Sequence, residues 1–152
     1  MTSTRPLIAV VDDDVSVRRA LARLLRAAGY HIETFADAEA FLAHPASHPP
    51  ACLILDVRMP GMSGRDLYDL LRAERRAIPT IFITGHGDSR MAARAIEAGA
   101  AGFLLKPFED QQLLEAVRGV TGVRRCGRGG RYEGSVPKGP EVRRFEGNPR
   151  TP

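Results

Sequence analysis

At 152 residues the chain is long enough for one domain around a single core with a short appendage, and two cysteines, Cys52 and Cys126, are too few for a disulfide scaffold. The formal charge of +4 is unevenly spread: residues 1–118 carry 14 Lys+Arg against 15 Asp+Glu, whereas residues 119–152 carry 8 against 3. The basic excess belongs to the tail, so the larger part of the chain has no basic footprint for nucleic acid.

The first element is the apolar run Leu7-Ile8-Ala9-Val10-Val11, which ends on Asp12-Asp13-Asp14. It is too short and too acidic at its end to read as a signal peptide, and nothing in the chain approaches membrane-spanning length, so a soluble cytoplasmic protein is expected. Val15, Val17, Ala20, Leu21, Leu24 and Leu25 then recur at helical spacing, with Arg18, Arg19, Arg23 and Arg26 on the other side. Asp14 is placed to cap this helix and Gly29 to end it. His31-Ile32-Glu33-Thr34-Phe35 alternates with period two, as an edge strand with one wetter face does. Asp37 starts a short helix that stops at the loop from Pro45 to Pro50.

Ala51-Cys52-Leu53-Ile54-Leu55-Asp56 is an unbroken apolar run closed by a carboxylate and bounded by prolines, and predicts a strand buried on both faces. After a loop holding Gly61 and Gly64, both read as turn residues, Leu67, Leu70 and Leu71 give the next helix its stripe. Thr80-Ile81-Phe82-Ile83 is a fourth strand running into Thr84. Asp88 or Ser89 opens a helix that Gly99 closes. Phe103-Leu104-Leu105 is the fifth strand, running into Lys106, and Glu109-Asp110-Gln111 opens a last helix with acids suited to its dipole. Strands and helices alternating in this way predict a parallel sheet with helices on both faces and right-handed crossovers.

In such a fold the carboxyl ends of the strands meet along one edge, where open α/β sheets bind ligands. Asp12, Asp13, Asp56, Thr84 and Lys106 all fall there. Two carboxylates ~4 Å apart repel by roughly 4 kcal/mol at an effective dielectric of 20, so three of them call for a divalent cation. Mg²⁺ suits the set, since it takes one or two carboxylates together with waters and phosphate oxygens. A hydroxyl and an ammonium donate hydrogen bonds to phosphate oxygens. The combination describes a site that forms and holds an aspartyl phosphate, with the carboxylate as nucleophile and the cations neutralising the transferring group.

Four stretches carry a family resemblance: Val10-Val11-Asp12-Asp13-Asp14, Leu55-Asp56-Val57-Arg58-Met59-Pro60-Gly61-Met62-Ser63-Gly64, Ile83-Thr84-Gly85-His86-Gly87-Asp88 and Leu105-Lys106-Pro107-Phe108. In this order and spacing, from about Arg5 to Arg118, they resemble the response-regulator receiver domain, nearest its FixJ-like branch. The resemblance implies a flavodoxin-like (βα)5 fold with strand order 2-1-3-4-5. It implies Asp56 as phosphoacceptor, Asp13 as direct Mg²⁺ ligand, Asp12 reaching the metal through water, and the Arg58 carbonyl as a further oxygen. It also implies Thr84 as switch hydroxyl, Lys106 as phosphate-binding lysine, Phe103 as aromatic switch and a cis bond between Lys106 and Pro107. Arg58, Gly85 and His86 would tune how fast water removes the phosphate. The implied partners are a sensor histidine kinase and a second copy meeting the face made by the fourth helix, fifth strand and fifth helix.

Beyond Arg118 the periodicity ends. The expectation is a receiver over residues 1–120 and a disordered basic Gly/Pro/Arg-rich tail over residues 121–152. Gly119 and Gly122 predict a shortened final helix, since glycine costs about 1 kcal/mol per helical site. The FixJ-like branch usually continues into a helix-turn-helix domain, for which the remaining 34 residues are too few. Three alternatives stay open for the tail and the site. Arg124, Arg125, Arg128 and Arg131 offer a weak electrostatic contact to nucleic acid. The tail is also readable as an out-of-frame remnant of a lost output domain. The third is a Mg²⁺-dependent phosphohydrolase with an aspartyl nucleophile. It would want an acid two residues after Asp56, where Arg58 stands, and arginine transfers no proton at neutral pH.

Overall fold

The computed structural model describes residues 5–43, 49–85 and 89–122. Five strands and five helices alternate along them: β1 (Leu7–Val11), α1 (Val15–Ala27), β2 (His31–Phe35), α2 (Ala38–Ala43), β3 (Cys52–Asp56), α3 (Gly64–Ala73), β4 (Thr80–Thr84), α4 (Ser89–Glu97), β5 (Gly102–Leu105) and α5 (Asp110–Thr121). All strand pairs are parallel and the order is β2-β1-β3-β4-β5. This is the flavodoxin-like order expected.

Burial follows position in the sheet. Every residue of β1, β3 and β4 is buried, as inner strands covered on both faces require, while β2 and β5 at the edges are partly exposed. Alternate residues feed two cores. Val11, Leu53, Leu55 and Phe82 join Phe41, Leu67, Tyr68 and Leu71 on one face. Ile8, Val10, Ile54 and Ile83 join Leu21, Leu25, Leu113 and Val117 on the other.

Three details depart from the sequence reading. Val15 leads α1 but is 48% exposed. On α3 the buried face holds Tyr68 beside Leu67 and Leu71, while Leu70 is only half-buried. The Tyr68 hydroxyl donates to the Ala98 carbonyl at 3.0 Å, and its ring meets Phe82 edge-on. Finally, Gly119 does not shorten α5. Val117 is fully buried and Val120 packs on the same core, so tertiary contacts override the local cost of glycine. Gly122, at φ +76°, ends the helix instead, its N–H donating to the Arg118 carbonyl.

Candidate phosphoacceptor and metal site

Register brings the polar strand ends together. Val11 pairs with Leu55, so the next residues along the two strands are Asp12 and Asp56. Asp56 pairs with Ile83, which precedes Thr84, and Thr84 pairs with Leu105, which precedes Lys106. The Lys106 N–H donates to the Thr84 carbonyl at 2.8 Å, and the Lys106–Pro107 bond is cis.

Asp12 is fully buried and each of its oxygens has a donor. Oδ1 accepts the Asp14 N–H at 2.9 Å, and Oδ2 accepts Lys106 Nζ at 2.9 Å. Asp14 is at the same time the α1 cap, accepting the Ser16 N–H at 2.8 Å. Asp56, 4% exposed, has Oδ2 3.7 Å from Lys106 Nζ and Oδ1 accepting the Arg58 N–H at 3.4 Å. Asp13 is exposed. One oxygen each from Asp12, Asp13 and Asp56 lie within 4.8 Å of one another.

Electrostatics follow from that crowding. Burial, with the Asp12 charge second, raises the Asp56 pKa from 3.8 to about 6 against the opposing pull of Lys106. Burial by itself would lower the Lys106 pKa. The hydrogen bond and charge of Asp12, joined by Asp56 and Asp14, outweigh it and leave the ammonium's pKa raised. A single ammonium therefore faces three acids, and the surplus is negative. An all-oxygen donor set with surplus negative charge fits a hard divalent cation such as Mg²⁺ and does not suit a softer metal that prefers nitrogen or sulfur.

Gly85, next to Thr84, is exposed and has nothing within 4 Å of where a Cβ would stand. Thr84 is fully buried and Phe103 is half-buried. His86 and the tail arginines Arg124, Arg125, Arg128 and Arg131 lie outside the described residues.

Three contributors escaped the sequence reading. Arg18, placed on the polar face of α1, turns back and donates from Nη1 to the Asp12 carbonyl at 2.7 Å, fixing the acidic loop from behind. Glu39 of α2 accepts the Met62 N–H at 3.3 Å and so steadies the loop that follows Asp56. Gly61 is a turn residue at φ +77°, but Gly64 is not: it is the first residue of α3, and a Cβ there would stand 2.1 Å from the Asp56 carbonyl oxygen. Spacing within one chain carries no sign of such an approach. Gly64→Ala is expected to push α3 off β3, destabilising the fold by about 2–3 kcal/mol, as overpacking does. Urea denaturation measures it, and an unchanged midpoint would contradict the close approach.

Residues 8–118 match the family model described as the response regulator receiver domain. The chain belongs to the receiver-domain family. Among curated relatives, this receiver is 46% identical over 119 residues to Nodulation protein W of Bradyrhizobium diazoefficiens, covering 78% of this chain and 52% of that one. It is 41% identical over 115 residues to Transcriptional regulatory protein FixJ of the same organism, covering 76% of this chain and 56% of that one. The chain thus spans about half the length of the curated relatives it matches. The solved structure of FixJ-N superposes with a TM-score of 0.70 at 40% identity, covering 79% of this chain and 96% of that one. Receiver domains are signalling domains of two-component phosphorelays rather than classical enzymes. Neither the phosphohydrolase nor the DNA-binding alternative is favoured by these matches. Among the described residues, no helix is long and apolar enough to cross a membrane.

Proposed function

We propose that this receiver accepts a phosphoryl group on Asp56 from the phosphohistidine of a sensor kinase, in a Mg²⁺-dependent reaction, and signals through the resulting change of conformation. The observation that carries the proposal is the convergence of Asp12, Asp13 and Asp56 within 4.8 Å, with Lys106 Nζ 2.9 Å from one and 3.7 Å from another. Asp13, Asp56 and the Arg58 carbonyl would hold the metal directly, and Asp12 through water. When bound, the cation neutralises charge on the phosphoryl oxygens. An Asp56 carboxylate oxygen attacks phosphorus, the P–N bond to the kinase histidine breaks, and that histidine keeps the electron pair. Lys106 and Thr84 donate hydrogen bonds to the transferred group. Arg58, Gly85 and His86, flanking the opening, set how readily water later removes it.

The new phosphate brings about −1.5 to −2 charges to a buried position. Thr84 moves toward it and Phe103 turns inward, biasing the face formed by α4, β5 and α5. Leu105 on β5 is 49% exposed, which supports that face as a phosphorylation-dependent contact with a second copy. The receiver is taken as residues 1–120, acting in the cytoplasm, with 121–152 as a separate basic segment whose nucleic-acid contact would be weak. Self-phosphorylation and slow self-dephosphorylation are its only chemistry.

Incubation with acetyl phosphate tests this. Intact mass should show uptake of one phosphoryl group with Mg²⁺ and none with EDTA; uptake that ignores EDTA would remove the metal from the proposal.

A further inference from the structure

Each polar group of the buried Asp12 is held by a different part of the chain. Its N–H donates to the Phe35 carbonyl at 3.1 Å, Oδ1 accepts the Asp14 N–H, and Oδ2 accepts Lys106 Nζ. The Asp12 carbonyl lies past the regular strand, since β1 ends at Val11. Arg18, in the first turn of α1, donates to that carbonyl from Nη1 at 2.7 Å, a charge-assisted bond. The Arg18 N–H also donates to the Asp14 carbonyl, so the turn from β1 into α1 is closed on itself. Asp13 stands inside this closure. Its exposed carboxylate has no hydrogen-bond or ion-pair partner among the described residues, yet one of its oxygens lies within 4.8 Å of those of Asp12 and Asp56. The backbone on either side must therefore place it. The Asp12 carbonyl and the Asp13 N–H belong to one planar unit, so fixing the carbonyl oxygen fixes the plane from which Asp13 departs.

We infer that Arg18 is a positioning residue for the metal: by holding the Asp12–Asp13 peptide it sets the Mg²⁺ affinity of the acid cluster without touching the ion. The inference rests on the Mg²⁺-dependent receiver reading above. Removing a group that orients a metal ligand typically costs 10–100-fold in affinity. Charge alone predicts the opposite sign. A guanidinium near a cation site repels Mg²⁺, so deleting it as a mere charge would tighten binding. A fall in affinity on its loss therefore reports orientation.

The test titrates MgCl₂ into the metal-free full chain by isothermal titration calorimetry, with melting in EDTA followed in parallel. Arg18→Ala is expected to raise the Mg²⁺ dissociation constant about tenfold or more. Arg18→Gln, checked for native circular dichroism, should raise it in the same direction, and Arg18→Lys, which keeps the charge and a donor, should recover part of the loss. Arg19→Ala removes the same charge from the exposed neighbour on α1 and should not weaken binding. An arginine that only stapled the turn would lower the melting temperature in EDTA and leave the dissociation constant of the folded variants unchanged. That result overturns the inference, as do tighter binding by Arg18→Ala and equal weakening by Arg19→Ala. Wild-type binding with an unchanged Arg18→Gln sinks the role of Arg18 alone, whereas no Mg²⁺ binding by the wild type sinks the metal site and this inference with it.

Discussion

Lys106→Met is expected to slow phosphoryl uptake by about 10²-fold or more, the usual cost of removing one preorganised donor from a developing charge. It should also destabilise the metal-free fold. Lys106 Nζ donates to the fully buried Asp12 at 2.9 Å, and stripping one partner from a buried pair costs about 3–5 kcal/mol. The lysine side chain is itself 23% exposed, so roughly 2–3 kcal/mol is the better expectation once water is allowed a share. Because the folded-state pKa of Lys106 lies above 10.5, its contribution is fully present at neutral pH and is lost only as pH climbs through that raised value. Mg²⁺ affinity should not fall, since the variant leaves the acids more negative. A variant that lost uptake and metal binding together would point to collapse of the site rather than to loss of a phosphate ligand.

Asp56→Asn should abolish uptake and yet raise the melting temperature of the metal-free protein at pH 7.5. Burial and Asp12 hold the Asp56 pKa near 6 rather than 3.8, so its ionised form is disfavoured in the folded state. A pKa elevated on folding makes a carboxylate a liability above the folded value. Wild-type stability therefore gains as pH falls through about 6, and the gain is complete below about 4. Asn carries no such charge. Its advantage should be about 1–2 kcal/mol at pH 7.5, or roughly 4–8 °C in Tm, and should vanish as the two stability curves converge near pH 4. Differential scanning calorimetry in EDTA across that range checks it. A lower melting point for Asp56→Asn at pH 7.5 would contradict the crowding of the acids.

The residues whose placement was legible in the sequence are those at the ends of apolar runs. Asp12, Asp56, Thr84 and Lys106 each close a strand, and parallel pairing leaves such residues no choice but to share one edge. Asp14 was legible for a different reason, as a short acceptor at the start of a helical period. Arg18 was not, because an arginine on the polar face of a helix has the same spacing whether it points to water or back to the Asp12 carbonyl. Gly64 was misread as a turn residue since a glycine in a loop and one at a helix–strand contact look alike until the distance to Asp56 is known. The length of α5 turned on packing at Val117 and Val120, which propensity does not contain.

Reductive trapping after incubation with acetyl phosphate and Mg²⁺ identifies which carboxylate takes the phosphoryl group. Borohydride converts an aspartyl phosphate to homoserine, which peptide sequencing locates. Homoserine is expected at position 56 alone, absent when EDTA replaces Mg²⁺. Homoserine at position 12 or 13, or phosphate held elsewhere in the chain, would contradict Asp56 as the phosphoacceptor.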